Sequence, residues 1–208
     1  AGSNLVPMAA IYNGSPCIVT DKGLLRSPSD FKKLVMAMGA DSAPKAEAFR
    51  TLGALVSVYP PQSLVTVFND KQTVRDENGA DIGRADAVEL DLEQAAQLLE
   101  DPNRLFLIRT GHEIEPLWFM ANAETMSQLN DFEKAILREA SAGLLADMEQ
   151  SWRDKETNLI RQFKEQGITV VDAERLEFAA VVYDTKDSTA LPPYFDRQIY
   201  RTIQLFID

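Results

Sequence analysis

The apolar positions of the chain fall into short runs over the first 121 residues and into a four-residue repeat after that. Short apolar runs bounded by Gly, Pro, Asn or Asp are typical of strands in a packed sheet. We predict strands at residues 5–12, 17–20, 34–38, 54–59, 83–90, 104–110, 117–121 and 168–171. The first of these is expected to be buried, because its residues are almost all apolar.

Helices are predicted between the strands from their capping residues. Ser27, Pro28 and Asp30 fit the N-cap, the first helical position and the capping-box carboxylate of a one-turn helix. Longer helices are predicted at residues 42–52, 62–68, 91–100, 131–166, 173–183 and 192–206. Strands therefore alternate with helices as far as residue 121, which is typical of an α/β fold.

The segment 131–166 contains one glycine and no proline, and it predicts a long helix. Its apolar residues recur every four positions: Phe132, Ile136, Ala140, Leu144, Met148 and Trp152. We interpret this stripe as a face packed on a core, with a break near Gly143 or Arg153. The charged residues between them predict a solvated opposite face.

A polar segment at residues 69–82 interrupts the α/β pattern. Asn78-Gly79 is a hairpin turn signal, because both residues tolerate positive φ, and it predicts strands near 72–77 and 80–85. The hairpin could be a lid, a partner-binding edge or a tolerated surface insertion. We therefore expect an α/β lobe over residues 5–121 with a hairpin insertion at 69–82, and a helical C-terminal portion over 122–208.

Charge narrows the range of partners. The 208 residues carry 32 acidic and 21 basic side chains and a formal net charge of −11. This charge argues against binding to nucleic acid or to anionic membrane surfaces, and it leaves a small ligand or a protein partner open. The sequence begins Ala-Gly-Ser-Asn, which we interpret either as the trimmed start left after removal of a signal peptide or as residues left by cloning.

The sequence offers no catalytic constellation. Cys17 is the only cysteine and His112 the only histidine, so neither an internal disulfide nor a Cys/His zinc site is available. The motifs of the serine hydrolases, the phosphate-binding loops and the zinc proteases are absent. We therefore expect a protein that is not an enzyme and that uses no metal or cofactor.

The segment CIVTDKGLLRSPSDFKKLVMA, from Cys17 to Ala37, resembles the periplasmic receptors of TRAP transporters, the DctP-like solute-binding proteins. In that family a strand, the motif "tPeDlkGlkiR" and a second strand follow one another. Weaker similarities occur in the family's order in AFRTLGALVSVYPPQSLVTVFN, GRADAVEL, LFLIRTGHEIEPLWFM and LIRQFKEQGITVVDAERLEF. Together they cover about residues 5–183.

The resemblance implies a periplasmic-binding-protein-like lobe of the class II type, α/β in class, with long C-terminal helices. It also implies a periplasmic location, a small-molecule ligand and membrane transporter subunits as partners. Members of the family are longer, and the chain matches them from the crossover into the second lobe. We therefore expect that the N-terminal lobe is missing. The missing lobe or another chain would cover apolar surface on residues 117–120 and on the long helix.

The resemblance also locates the family's ligand anchors. In acid-binding members two arginines, an aromatic residue and an asparagine hold the ligand, and these positions correspond to Cys17, Ala37, Pro61 and Leu90. None of the four keeps the anchoring group, and an arginine fork on a carboxylate has no substitute in Cys or Ala. We therefore expect a ligand that is not a simple carboxylate and that is less anionic and more apolar than the family's usual ligands.

Further cleft candidates surround these positions: Tyr12, Asn13, Met36, Met38, Tyr59, Asp86 and Glu89. Each of these residues could instead have a purely structural role. Cys17 could be a small buried hydrophobe, and Met36, Ala37, Met38 and Leu90 could be ordinary core. Carboxylates and a lone histidine such as His112 often serve the fold through hydrogen bonds.

The sequence thus supports a receptor that binds a small ligand by lobe closure. The alternative is a receptor-like protein without a ligand that acts as an envelope or membrane-protein interaction module. A catalytic role for Asp86, Glu89 or His112 is a third and disfavoured hypothesis.

Overall fold

The computed structural model describes residues 4–40, 43–98 and 104–183. The helix predicted at residues 192–206 lies outside these ranges. Within them ten strands form: β1 (Leu5–Tyr12), β2 (Cys17–Thr20), β3 (Val35–Gly39), β4 (Leu55–Tyr59), β5 (Thr73–Arg75), β6 (Asp81–Arg84), β7 (Ala87–Leu90), β8 (Phe106–Arg109), β9 (Pro116–Asn122) and β10 (Thr169–Asp172). The helices are α1 (Ala43–Thr51), α2 (Leu64–Asn69), α3 (Leu92–Ala95), α4 (Ala123–Gln128), α5 (Asp131–Glu165) and α6 (Arg175–Tyr183).

Six strands build one central sheet in the order β10-β8-β2-β7-β3-β4. The strand β2 runs antiparallel to both of its neighbours, and the other pairs are parallel. The carboxyl ends of β3, β7, β8 and β10 therefore meet at one edge of the sheet, together with the start of β2. This mixed α/β architecture agrees with the predicted fold class.

Helices cover both faces of this sheet. On one face α2 and α3 pack with Phe163 of α5 over Val19, Ala37 and Val88. On the other face α1, the one-turn helix Pro28–Phe31 and Phe178 of α6 pack over Ile18, Met36 and Ile108. The predicted capping carboxylate is confirmed, since Asp30 accepts hydrogen bonds from the backbone N–H groups of Arg26 and Ser27 at 2.9 and 2.8 Å.

A separate two-stranded ribbon pairs β1 with β9. The prediction that β1 is buried was wrong: of its eight residues only Ile11 is buried. The reason is that β1 pairs with β9 outside the central sheet, and its contact with α5 leaves much of the ribbon uncovered. The predicted exposure of the apolar β9 residues is confirmed, with Trp118 57% exposed.

The long helix forms as predicted, but its environment differs. It runs unbroken over 35 residues, so the break considered near Gly143 or Arg153 does not occur. Its stripe does not pack on a core of the described residues, because Phe132, Ile136 and Leu144 are 74%, 49% and 61% exposed. This exposure agrees with the expectation of apolar surface on the long helix that another lobe or chain would cover. Only the C-terminal end of the helix reaches the central sheet, through Phe163.

Smaller differences concern single elements. The polar insertion forms the predicted hairpin, β5 with β6, and the predicted strand 83–90 is divided between β6 and β7. The bend at Ala85 and Asp86 separates them and turns the chain back into the central sheet. Among the described helices, none combines the length and apolarity needed to cross a membrane.

Candidate functional site

The carboxyl edge of the central sheet carries a depression that we call the strand-end cleft. Ligands of open α/β sheets bind at this edge, because the loops that leave the strands diverge there. Here the chain leaves β7 at Asp91 and β8 at Thr110, and it enters β2 from Pro16. The cleft therefore gathers residues from segments that lie far apart in the sequence.

Three adjoining cavities of about 110, 270 and 90 Å³ make up the cleft. The first is lined by Asn13, Asp91 and Trp152 among others, and the second by Tyr12, Cys17 and Arg109. They adjoin because Ser15, Leu92 and Glu156 line both. The third, beside Pro16 and Asp91, reaches Lys45, Pro61 and Glu89.

Six of the predicted site residues line this cleft: Tyr12, Asn13, Cys17, Pro61, Glu89 and Leu90. Cys17 and Leu90 are opposite each other in the β2–β7 pairing, and each is 1% exposed, so they form the floor. The Cys17 thiol donates to the backbone oxygen of Leu90 at 3.3 Å. Burial, with the negative charges of Asp91 and Glu89, raises the pKa of this thiol well above its usual range.

The other predicted site residues lie away from the three cavities. Met36, Ala37 and Met38 are at most 1% exposed and belong to the two faces of the sheet core. Tyr59 packs against the edge of the same core. These positions agree with the alternative interpretation that the residues belong to an ordinary core. Contact of any of them with a ligand stays a prediction.

Asp86 serves the bend between β6 and β7. Its carboxylate accepts the backbone N–H of Val35 at 3.2 Å and pairs with Lys22 at 3.0 Å. Its backbone oxygen accepts the Thr20 hydroxyl at 2.7 Å. All three contacts hold neighbouring strands in register. This structural role accounts for an acidic residue at position 86, and no ligand contact is needed to explain it.

Glu89 is the buried carboxylate of the cleft, with 4% exposure. His112 Nε2 lies 2.8 Å from its Oε1, Lys45 Nζ lies 3.4 Å away, and Thr110 hydrogen-bonds the other ring nitrogen of His112. Burial opposes ionisation of Glu89, but the hydrogen bonds and charges of His112 and Lys45 outweigh it and hold its pKa below the usual value.

The atoms of Glu89, His112 and Glu113 are close enough together to suggest a metal site. Lys45 Nζ, however, lies 2.6 Å from the Glu113 carboxylate and 3.4 Å from that of Glu89. A lysine ammonium thus already supplies the positive charge that these carboxylates require. We therefore interpret the group as a structural ion-pair network that ties α1 to the ends of β7 and β8.

Four charged side chains, Arg109, Arg153, Glu156 and Arg175, line the 270 Å³ cavity. The Tyr12 hydroxyl donates to Glu156 at 2.7 Å, and burial together with this bond raises the pKa of Tyr12 to about 12. Arg153 lies over the Tyr12 ring, 4.7 Å from its centre, and binds Glu149 at 2.6 Å. Arg109 pairs only loosely with Glu156, at 3.9 Å.

Arg175 reaches the same cavity from the first residue of α6. Its guanidinium lies directly on the backbone of Gly111, where an added Cβ would be 2.6 Å from Arg175 Nε. Gly111 also has φ +58°, a conformation that disfavours a side chain. Glycine at this position therefore permits the close approach of the guanidinium.

Sequence reasoning missed the three arginines of this cavity, Arg109, Arg153 and Arg175. They lie on β8, α5 and α6, so no local spacing connects them. One signal was available for Arg175. A cation at the first position of a helix opposes the helix dipole, and such a residue is often placed there for something other than helix stability.

No protein-family model matches the chain, and no curated protein matches it by sequence. Solved structures do match. A TRAP periplasmic solute-binding protein from Escherichia fergusonii, in an apo open form, superposes with a TM-score of 0.76 at 15% identity. One from Bordetella bronchispeptica, with density interpreted as pantoate, gives 0.69 at 21%. One from Xanthobacter autotrophicus with bound β-D-galacturonate gives 0.70 at 16%.

Each of these three comparisons covers 97% of this chain and 62% of the matched chain. The chain thus spans about three fifths of the length of the solved structures that it matches. At these identities the likeness concerns the fold, and the fold agrees with the expectation from the Cys17–Ala37 segment. The chain has the periplasmic-binding-protein-like α/β fold of the TRAP solute-binding proteins.

Proposed function

We propose that the protein is a periplasmic solute-binding receptor related to TRAP transport systems, which binds a small ligand in the strand-end cleft and carries out no chemistry. The observation that supports it is the position of the cleft at the carboxyl edge of a sheet whose fold is shared with solute receptors. Closure of a second lobe over the cleft would complete the enclosure of the ligand. Membrane transporter subunits are the partners that such a receptor requires.

The ligand is not a simple carboxylate held by the family's arginine fork. The two fork positions, Cys17 and Ala37, are at most 1% exposed and carry no cation. Arg109, Arg153, Glu156 and Arg175 line the neighbouring cavity, so recognition would depend on residues outside the family's anchors.

The proposal is tested by ligand binding to the full chain. Native mass spectrometry would detect a small molecule that copurifies, and thermal shift against a metabolite library would detect one that was lost. We expect at least one metabolite to stabilise the wild type. The same metabolite should not stabilise Asn13→Trp, because the larger side chain would occupy part of the cleft. Gln128→Trp, on the exposed side of α4, is the control. A library without any hit, and no copurified molecule, would contradict the receptor function.

The second candidate is an interaction module without a ligand. It is favoured by the exposed apolar residues of β9, since Leu117, Trp118, Phe119 and Met120 are 40%, 57%, 36% and 39% exposed. Contiguous apolar surface of this kind marks protein or membrane contacts. This candidate predicts no metabolite hit, together with binding to an envelope or membrane protein that Trp118→Ser abolishes.

A further inference from the structure

The central sheet has an open edge at β4. This strand is one of the two outermost strands, and among the described residues it pairs with β3 only. The backbone N–H of Leu55 and the backbone oxygen of Tyr59 are bonded to residues that flank β3, at 2.8 and 2.9 Å. Successive residues of a strand direct their backbone groups to opposite sides. The backbone groups of Val56 and Val58 therefore point away from the sheet.

This edge has little protection against another strand. Edge strands are commonly shielded by charged side chains, prolines or bulges, because their unpaired backbone groups invite pairing. The sequence of β4, Leu-Val-Ser-Val-Tyr, contains no charge and no proline, and its register with β3 has no shift. Leu55 and Val58 are 41% and 45% exposed, on opposite faces of the edge. Among the described side chains only Arg50 reaches the edge backbone, where it donates to the Val56 oxygen at 3.4 Å.

The hairpin formed by β5 and β6 stands beside this edge and makes a groove with it. Val74 of the hairpin is fully buried in the core, so the hairpin is anchored at its base. The cavity between the two elements has a volume of about 160 Å³. Leu55 and Val56 line it on one side, and Asp76 and Glu77 of the hairpin tip line it on the other. An extended chain in this groove would meet unpaired backbone groups and carboxylates together.

The charge of the groove is negative. Asp76 uses one carboxylate oxygen to accept two backbone N–H groups of the hairpin turn, at 2.9 and 2.8 Å, which fixes the tip. Neither Asp76 nor Glu77 forms an ion pair with a described residue. The cation in the lining, Arg50, is already paired with Glu47 at 3.4 Å. The groove therefore favours a partner that carries positive charge.

We propose that the open edge of β4 binds an extended, basic segment of a partner protein, which adds a strand to the central sheet. Such a strand would bond the backbone groups of Val58 and the N–H of Val56, and its alternating apolar side chains would cover Leu55. A lysine or arginine of the segment would lie against Asp76 and Glu77. The groove lies beside the start of β4, away from the carboxyl edge that carries the strand-end cleft, so the proposal does not depend on the ligand of the cleft.

A second copy of this chain fits the edge less well. Two β4 strands could pair antiparallel about a two-fold axis. Each copy would then bring its own hairpin tip, with Asp76 and Glu77, to the same junction. Two chains with a net charge of −11 also repel each other. The charge of the groove thus favours a different, basic partner.

The test uses two synthetic peptides on the full chain: the acetylated and amidated hexapeptide Lys-Val-Thr-Val-Thr-Lys, and its counterpart with glutamate in place of both lysines. Calorimetry gives the affinities, and NMR of the backbone amides identifies the contacts. We expect the basic peptide to bind at millimolar concentration or below, to shift the Val56 and Val58 amide signals and to slow their hydrogen exchange. The acidic peptide should bind about 10-fold more weakly. No binding of the basic peptide, equal affinities of the two, or shifts confined to other residues would overturn the proposal.

Substitutions at position 58 separate strand addition from general charge attraction. Val58→Pro removes an N–H that points away from β3, so the sheet should fold while the basic peptide binds roughly 10-fold more weakly. Val58→Thr keeps the N–H and a β-branched side chain, and its affinity should stay within about 3-fold of the wild type. Thermal unfolding verifies that both variants are folded. Equal affinities of the two variants would contradict strand addition.

A second pair of variants tests the hairpin tip without changing β4. Glu77→Gln should weaken the basic peptide by about 2- to 5-fold, the scale of an exposed ion pair. Glu139→Gln removes the same charge from an exposed position on α5 and should leave the affinity unchanged. Equal losses in both variants would show that net charge attracts the peptide, and they would refute the proposed groove. Self-association of the wild type that Val58→Pro abolishes would assign the edge to a second copy and would also overturn the proposal.

Discussion

The Tyr12 hydroxyl donates a hydrogen bond to Glu156 across 2.7 Å and so joins the end of β1 to α5. Tyr12→Phe removes this bond and should lower the free energy of unfolding by about 0.5–1.5 kcal/mol. Chemical denaturation measures the change. Tyr59→Phe is the matched control, because the Tyr59 hydroxyl has no partner among the described residues. Equal effects of the two substitutions would contradict a role for the Tyr12–Glu156 bond.

The same bond predicts a late titration of one tyrosine. The pKa of Tyr12 is raised to about 12, so the folded state favours its protonated form. This contribution to stability is complete below the ordinary pKa of about 10 and is lost as the pH rises towards 12. Absorbance of tyrosinate should show an ionisation step near pH 12, and Tyr12→Phe should remove that step.

Glu89 is predicted to stabilise the fold through its charge. Glu89→Gln leaves Lys45 and His112 facing an amide and should cost about 3 kcal/mol, the scale for breaking a buried ion pair. Because the folded pKa of Glu89 is depressed, its contribution is present above about pH 4.5 and is lost as the pH falls through the lower folded value.

Unfolding free energies between pH 7 and pH 3 measure this dependence. The wild type should lose stability on acidification by an amount that Glu89→Gln does not show. Glu139→Gln, at an exposed position on α5, should keep the wild-type slope. If the Glu89 variant follows the wild-type pH profile, the charge of Glu89 contributes nothing.

Cys17 is predicted to be inert in the folded protein. The side chain is 1% exposed and its thiol pKa is raised by burial, so little thiolate is present at neutral pH. Since this is the only cysteine, labelling with a thiol reagent reports on it alone. We expect labelling only after unfolding in denaturant. Rapid native labelling would show that the floor of the cleft opens.

Ala37 occupies one of the family's two arginine positions, and a substitution there tests whether this position lies in the core. Ala37→Arg would bury an unpaired guanidinium and should prevent stable folding. Val58→Arg, at a position of β4 that is 45% exposed, should be tolerated. Solubility and thermal unfolding distinguish the two. A stably folded Ala37→Arg protein would mean that position 37 faces a cleft after all.

The local parts of the fold could be predicted from the sequence. The cap of the one-turn helix depends on neighbouring residues, Ser27 and Asp30, and the length of α5 depends on the absence of helix breakers. The exposure of most of β1 and of Phe132 could not be predicted from neighbouring residues. An apolar pattern shows which face of an element is suited to burial. Whether that face is buried depends on residues that are distant in the sequence.

Part of the candidate site could likewise be predicted from the sequence, and part could not. Tyr12, Asn13 and Glu89 were predicted to lie at the cleft, and the structure places them in its walls. Arg109 and Arg175 were not predicted, because their proximity arises only when β10 pairs with β8 and brings α6 beside Gly111. Their charge in an acidic chain became informative only once that pairing was known.

The unbroken course of α5 has a mechanical consequence. Arg153 and Glu156 stand at the cleft, whereas Phe132 stands 21 residues earlier on the same rod, about 32 Å away. A tilt of about two degrees at the cleft end would displace Phe132 by about 1 Å at this length. Any rigid tilt of α5 at the cleft would therefore be amplified at its N-terminal end, where Phe132 is 74% exposed.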